Sequence, residues 1–205
     1  KAGHTGTLDP FATGLLPLCL GEATKFSQFL LEADKIYLAE LRLGVRTSSG
    51  DPEGEVIETR SVRVGEMEVR QALPGFTGEI EQTPPMHSAL KHAGRPLYEY
   101  ARKGIEIERK SRRVTVHELE LLSCSGNSCV LRVHCGKGFY VRALADDLGE
   151  LLGCGAHLTA LRRLAVGPFS IERAHTLDHL IELDEADRDT CLLPADILVE
   201  SMPRL

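Results

Sequence analysis

The chain contains no tryptophan and little aromatic material of any kind, six Phe and four Tyr among 205 residues. No apolar run approaches the ~20 residues a membrane-crossing helix needs, which rules out a helical span. The six cysteines (Cys19, Cys124, Cys129, Cys135, Cys154 and Cys191) include no Cys-x-x-Cys pair. Scattered in this way, they read as buried thiols of a reducing cytoplasm rather than as a disulfide framework. The P-loop, G-x-G-x-x-G, G-x-S-x-G and H-E-x-x-H patterns are all missing, so neither a cofactor nor a metal is expected. His175 and His179 share an i, i+4 spacing, but no partner at metal-ligand spacing accompanies them, and they read as surface histidines. The chain opens neither on Met nor on a leader. A dense motif starts at once, and residues are expected to precede Lys1.

What is present describes a globular chain with a core of its own: 42% hydrophobic and 26% charged residues, at a mean hydropathy of −0.11. The net charge of −6 is unevenly distributed. Residues 1–85 carry a net −5, 114–171 balance, and the end from 172 to 205 carries −6. Residues 86–113 reverse the sign, with 8 Lys/Arg against 3 Asp/Glu. Such a stretch is either a solvated face or an element that tracks phosphates, and charge alone does not choose.

No repeat or linker divides the chain. Residues 3–14 form a turn-rich loop with three Gly and an Asp-Pro. Leu15 to Leu20 reads as a buried strand, Glu22 to Leu31 as a helix, and Ile36 to Leu43 as an alternating strand. Short helices are expected at 66–73, closed by Pro74-Gly75, and from Leu97 to Lys103, ended by Gly104. Val114 to Leu122 and Cys129 to Cys135 pair as a hairpin through Ser-Gly-Asn-Ser, and Tyr140 to Leu152 has helical periodicity. Strands and helices without βαβ alternation indicate an α+β fold with a mixed, mostly antiparallel sheet.

The loop Gly3-His4-Thr5-Gly6-Thr7-Leu8-Asp9-Pro10 could be a tight turn with Asp9 capping its own backbone. Continued as Phe11-Ala12-Thr13-Gly14-Leu15-Leu16-Pro17 and Gly21-Glu22-Ala23-Thr24-Lys25, it resembles the signature of the TruB family of bacterial tRNA pseudouridine synthases. The likeness runs on through Asp34-Lys35-x-Tyr37, Gly50-Asp51-x-x-Gly54 and Gln82-x-Pro84-Pro85-x-x-Ser88-Ala89-Leu90-Lys91. It also covers Leu97-Tyr98-Glu99-Tyr100-Ala101-Arg102, Cys135-x-Lys137-Gly138-x-Tyr140-x-Arg142, and Gly155-Ala156-His157-Leu158 with Leu161-Arg162-Arg163.

That resemblance implies the pseudouridine synthase fold, with helices and loops flanking the sheet. It also implies isomerisation of uridine 55 in the tRNA T loop, without a cofactor. The base is flipped out, its C1′–N1 bond is broken, and it is turned and rejoined through C5. Asp9 matches the catalytic aspartate, whether it attacks C1′, adds to C6 or assists a glycal route. Arg142 is the guanidinium that holds this carboxylate ionised against burial, and Asp51 supports Arg142 or its loop. Tyr37 matches the platform that stacks on the uracil, Tyr140 the group near C5, and Leu161 an apolar wall. His4 matches a residue that fills space left by the extruded base, and Lys25 a backbone contact. The segment from about 84 to 113 matches an RNA-binding thumb, which gives Lys91, Arg102, Lys103, Arg109, Lys110, Arg112 and Arg113 phosphates to meet.

Residues 1–205 are read as one catalytic domain, expected to act as a monomer on the T stem-loop without a protein partner. The family's N-terminal strand and its C-terminal PUA-type domain are not found in this sequence. Ser48 and His87 depart from the family pattern, where an acidic residue and Tyr are common, and put loop packing in question. A tRNA-folding chaperone with secondary catalysis is the alternative function. Loss of isomerisation with retained binding in Asp9→Asn would separate the two.

Overall fold

The computed structural model describes residues 1–198. Strands β1 (Ala2–His4), β2 (Thr13–Gly14) and β3 (Leu18–Leu20) and helix α1 (Ser27–Glu32) precede β4 (Lys35–Leu43), β5 (Val45–Thr47) and β6 (Val56–Thr59). There follow α2 (Glu66–Ala72), β7 (Gly78–Gln82), β8 (Lys91–His92), β9 (Arg95–Pro96) and α3 (Leu97–Ala101). The second half holds β10 (Arg112–Ser125), β11 (Ser128–Cys135), α4 (Val141–Leu151), β12 (Ala156–Val166), β13 (Phe169–Ser170), α5 (Leu177–Glu182) and α6 (Glu185–Thr190).

The main sheet runs β13-β12-β4-β11-β10-β7, every pair antiparallel, with β2 added to β12 in parallel. This is the mixed, mostly antiparallel α+β arrangement expected from the sequence. In β4, Ala39, Leu41 and Leu43 are buried while Glu40 and Arg42 are exposed, the period of two that a half-buried strand requires. Helix α4 turns Val141, Leu144, Ala145 and Leu148 into the same core, at the i, i+3, i+4, i+7 spacing of a helix face. It lies close on β12 because residue 149 is glycine: a Cβ there would sit 2.1 Å from the Ala156 backbone nitrogen.

Several local readings are revised. Only Leu18–Leu20 of the expected strand forms, with Leu18 and Leu20 exposed; Pro17, lacking an amide hydrogen, precedes it. The single helix expected from Glu22 to Leu31 is a 3-10 turn at Gly21–Lys25 followed by α1, with the break at Phe26. The C-terminal end of α1 is closed by the buried Lys35, whose Nζ donates to the carbonyls of Leu30 (3.1 Å) and Leu31 (2.8 Å). The six cysteines are not all free thiols: Cys124 and Cys129 face each other across the β10–β11 hairpin and form a disulfide. Cys19, Cys135 and Cys154 are buried free thiols, as expected. The acidic end contains two short helices, α5 and α6, capped by Thr176 and Asp184; its residues 199–205 lie outside those described. Residues 84–113 contain the β8–β9 hairpin and α3 and lead into β10.

Candidate active site

The loop from Gly6 to Leu15 lies beside β12, and a buried arginine of that strand holds both its ends. Arg163 Nη2 donates to the Gly6 carbonyl (3.1 Å) and its Nε to the Leu15 carbonyl (2.8 Å). At Gly14 the backbone has φ +109° and passes so near β12 that a Cβ would lie 2.2 Å from the Arg163 carbonyl oxygen. Within this clamp Asp9 does not cap its own backbone by its side chain. Its backbone carbonyl closes a turn with the Ala12 amide, and the carboxylate is left to point elsewhere.

It points at Arg142, in the first turn of α4. Arg142 Nε donates to Asp9 Oδ2 and Nη2 to Asp9 Oδ1, both at 2.9 Å, a bidentate pair. Arg142 is 5% exposed and anchored three further ways. It donates to the carbonyls of Ser49 (3.2 Å) and His87 (2.7 Å) and faces Asp51 Oδ2 at 3.6 Å. Asp51 is buried too, and its other oxygen accepts from the Ser49 hydroxyl and the Glu53 amide. Asp51 thus places a second carboxylate against the Arg142 guanidinium. Burial pushes the Asp9 carboxyl above its ordinary value; Arg142 pulls it down without cancelling the shift, and Asp51 adds to it.

Asp9, Tyr37, Tyr140, Arg142 and Leu161 line one chamber of about 120 Å³, with Phe139 completing its apolar side. Leu161 reaches it from β12 and Tyr37 from β4, two paired strands on which Leu161 opposes Ala39 and Arg163 opposes Tyr37. The chamber adjoins a cleft of about 770 Å³ that shares Asp9, Tyr140 and Arg142 and adds His87, Tyr98 and Arg102 from residues 84–113. Burial raises the pKa of both phenols. Arg163 opposes the shift at Tyr37; at Tyr140 it is opposed by the neighbouring Ser88 hydroxyl and then by Arg112 and Arg142. Both tyrosines are thus kept neutral, able to stack or to donate a hydrogen bond. Among the described residues no group forms a metal site in this chamber.

Other predicted residues lie apart. His4 is exposed on β1, paired with Leu18 and outside the chamber. Lys25 is exposed and ion-paired with Glu22. Lys91, Arg102, Lys103, Lys110, Arg112 and Arg113, all within residues 84–113, are exposed, with Arg102 over the Tyr98 ring at 5.4 Å. Arg109 differs, because its guanidinium is turned inward. Nη1 donates to the Pro84 carbonyl (3.3 Å) and Nε to that of Ile107 (3.2 Å), tying the start of residues 84–113 to the segment that leads into β10. Of the two departures from the family pattern, Ser48 uses its Oγ to accept from the Glu55 amide, while His87 lines the cleft and holds Arg142 by its backbone carbonyl, a contact independent of its side chain.

Three residues beyond those singled out in the sequence shape the site. Arg163 sets the Asp9 loop. Gln82, buried at the end of β7, uses its whole amide on Tyr140: Oε1 accepts from the Tyr140 amide (2.8 Å) and Nε2 donates to its carbonyl (3.1 Å). Ser88 lines the cleft beside Tyr140, and among the described residues its buried hydroxyl lacks a partner in hydrogen-bonding geometry. All three occur in motifs quoted above, yet a buried Arg or Gln has no hydrophobic periodicity to reveal it.

The chain matches the family model of the TruB family pseudouridylate synthase N-terminal domain over residues 1–141, and that of the tRNA pseudouridylate synthase B C-terminal domain over 142–200. The boundary falls between Tyr140 and Arg142, so both matched parts contribute to the chamber. It is 63% identical over 203 residues to tRNA pseudouridine synthase B of Thiobacillus denitrificans, covering 99% of this chain and 68% of the relative. To that of Aromatoleum aromaticum it is 61% identical over 205 residues, covering 100% and 67%. Among solved structures it is similar to a chain of a Cbf5-Nop10-Gar1 complex, with a TM-score of 0.75 and 33% identity over 98% of this chain and 53% of that chain. A chain of an H/ACA RNP bound to a substrate RNA containing 2′-deoxyuridine aligns with a TM-score of 0.71 and 30% identity, over 98% and 52%. The chain therefore spans about two thirds of these curated relatives and about half of the structural ones. Two family models that together span residues 1–200, and relatives at 61–63% identity, agree with the motifs: the chain belongs to the TruB family of pseudouridylate synthases.

Proposed function

We propose that the protein converts uridine 55 in the T loop of tRNA to pseudouridine. The observation that carries this reading is the bidentate Asp9–Arg142 pair at the edge of a small chamber walled by Tyr37, Tyr140 and Leu161. A uridine turned out of its loop would enter through the larger cleft and stack on Tyr37, with Leu161 closing the apolar side. Asp9, ionised and aimed by Arg142, would assist departure of N1 from C1′. The detached base turns, C5 bonds to C1′, the proton on C5 leaves with Tyr140 nearby, and N1 takes one up. Atoms balance without water or a redox partner, as an isomerisation requires. The exposed cations Lys91, Arg102, Lys103, Lys110, Arg112 and Arg113 would meet the phosphates of the stem, while Arg109 keeps residues 84–113 in shape as a thumb.

The test is incubation of unmodified tRNA, or its isolated T stem-loop, with the intact protein and with Asp9→Asn, followed by carbodiimide adduct formation and primer extension. One new stop at the T-loop uridine, absent with Asp9→Asn although that variant still binds, is the expected result. Tight binding by the folded protein with no stop would overturn the reading and leave a tRNA chaperone in its place.

A further inference from the structure

On the sheet face opposite the chamber, three side chains converge that the proposed reaction does not use. The faces follow from register: Val133 of β11 pairs with Tyr37 of β4 and is buried on the core side, so its neighbour His134 projects from the other. His117 belongs to β10 and falls between the partners of Cys135 and His134, as the extra residue of a β-bulge. Asp34 stands immediately before β4, its carbonyl accepting from the Gly167 amide (2.9 Å). His117 Nε2 lies 3.2 Å and His134 Nε2 3.9 Å from the same oxygen, Asp34 Oδ2, and the two imidazole centroids are 4.7 Å apart.

We propose that Asp34, His117 and His134 bind a divalent transition metal of the zinc type. Donors on a tetrahedral ion with bonds of about 2.0–2.2 Å stand roughly 3.3–3.6 Å from one another. The three ligand atoms here lie within 4.8 Å of one another, so rotamer adjustments alone would close the set. The two imidazoles are borderline donors and the carboxylate a hard one, and a set with two imidazoles suits Zn²⁺, Co²⁺ or Ni²⁺ rather than Mg²⁺ or Ca²⁺. The side chains are 39%, 33% and 49% exposed for His117, His134 and Asp34, which leaves a way in and room for water as a fourth ligand. The ligands come from β10, β11 and the start of β4. A bound ion would therefore pin three neighbouring strands at one end of the sheet, on the side away from the RNA cleft.

The experiment titrates Co²⁺ into tag-free, intact, metal-stripped protein and reads the visible d–d absorption, then repeats the titration on His117→Ala, His134→Ala and Asp34→Asn. Melting curves with and without Zn²⁺ run in parallel. One equivalent of Co²⁺ with a low-symmetry imidazole–carboxylate spectrum is expected, weakened at least about tenfold in each variant. The Zn²⁺-dependent rise in melting temperature should disappear with it, while metal-free melting stays near that of the parent. Uptake that persists in His117→Ala and His134→Ala but is lost in His175→Ala would assign the ion to the stacked pair His175 and His179 and overturn the proposal. A thiolate charge-transfer band, or no uptake at all, would overturn it equally, leaving Asp34 as an ion-pair partner of the two histidines.

Discussion

Gln82→Met replaces a buried amide by a linear apolar side chain of similar volume, so no sizeable cavity opens and only the two hydrogen bonds to Tyr140 disappear. The two do not weigh equally. The Tyr140 carbonyl still accepts from the Leu144 amide (3.2 Å), whereas the Tyr140 amide keeps no partner. An orphaned buried amide costs about 1–3 kcal/mol, and we take about 2 kcal/mol. In a domain of this size that lowers the melting temperature by about 4–8 °C. Tyr140 is the N-cap of α4, and Arg142 follows two residues later, so its displacement also moves both groups that surround Asp9. A shift approaching 1 Å at such a site costs up to about a hundredfold in rate, so kcat should fall about ten- to a hundredfold. Gln82 is 3% exposed and presents no surface to RNA, hence affinity for the T stem-loop should not change. Urea unfolding, single-turnover pseudouridylation and filter binding measure the three quantities. A Gln82→Met protein with parental stability and parental kcat would refute the idea that this clamp positions Tyr140.

Because the proposed reaction needs Asp9 ionised and its folded pKa lies above the ordinary value, activity should be full at high pH. It should fall as pH drops through that raised pKa, before an ordinary aspartate would protonate. Arg142→Lys removes the bidentate guanidinium that opposes the shift, so the acidic limb of a single-turnover pH profile should move to still higher pH. Gly14→Ala places a Cβ against the backbone of β12 at a φ that L residues avoid; a loss of at least about 2 kcal/mol in urea unfolding, together with activity, is expected. Lys103→Ala and Lys110→Ala should each weaken tRNA binding and flatten the slope of log K against log salt by roughly 0.7–0.9 for each phosphate that is no longer neutralised. Arg109→Ala should instead leave the slope nearly unchanged and make residues 84–113 more susceptible to limited proteolysis.

The sequence made β4, β11 and α4 legible because each repeats a single period along its buried face, and β10 was found through its pairing with β11 although two bulges interrupt its own alternation. It failed at β12, where register shifts between Leu158 and Ala160 and between Arg163 and Ala165 break the alternation. The strand also buries Arg163, which a hydrophobic pattern counts as solvent-facing. Lys35 and Gln82 were obscured for the same reason. The disulfide was within reach: with the turn centred on Gly126-Asn127, Cys124 and Cys129 fall at matching places on the two arms. Of the site, Asp9, Arg142, Tyr37, Tyr140, Leu161 and Asp51 were read through a resemblance carried by long motifs, and they converge. His4 and Lys25 came from the same motifs but stand outside the chamber.

The hydrogen bond from Arg142 to the His87 carbonyl joins two parts of the molecule with different duties. His87 lies at the root of residues 84–113, on the chain that leads out to the basic surface. Arg142 is the main cation acting on Asp9. Moving that root lengthens a 2.7 Å bond on a guanidinium whose other donors are fixed to Asp9 and Ser49. The guanidinium must then turn, tightening or loosening its hold on the carboxylate. On the proposed function, a force applied by RNA at the rim would reach the charge at the bottom in part through this carbonyl, so the pKa of the aspartate would report how the RNA is seated.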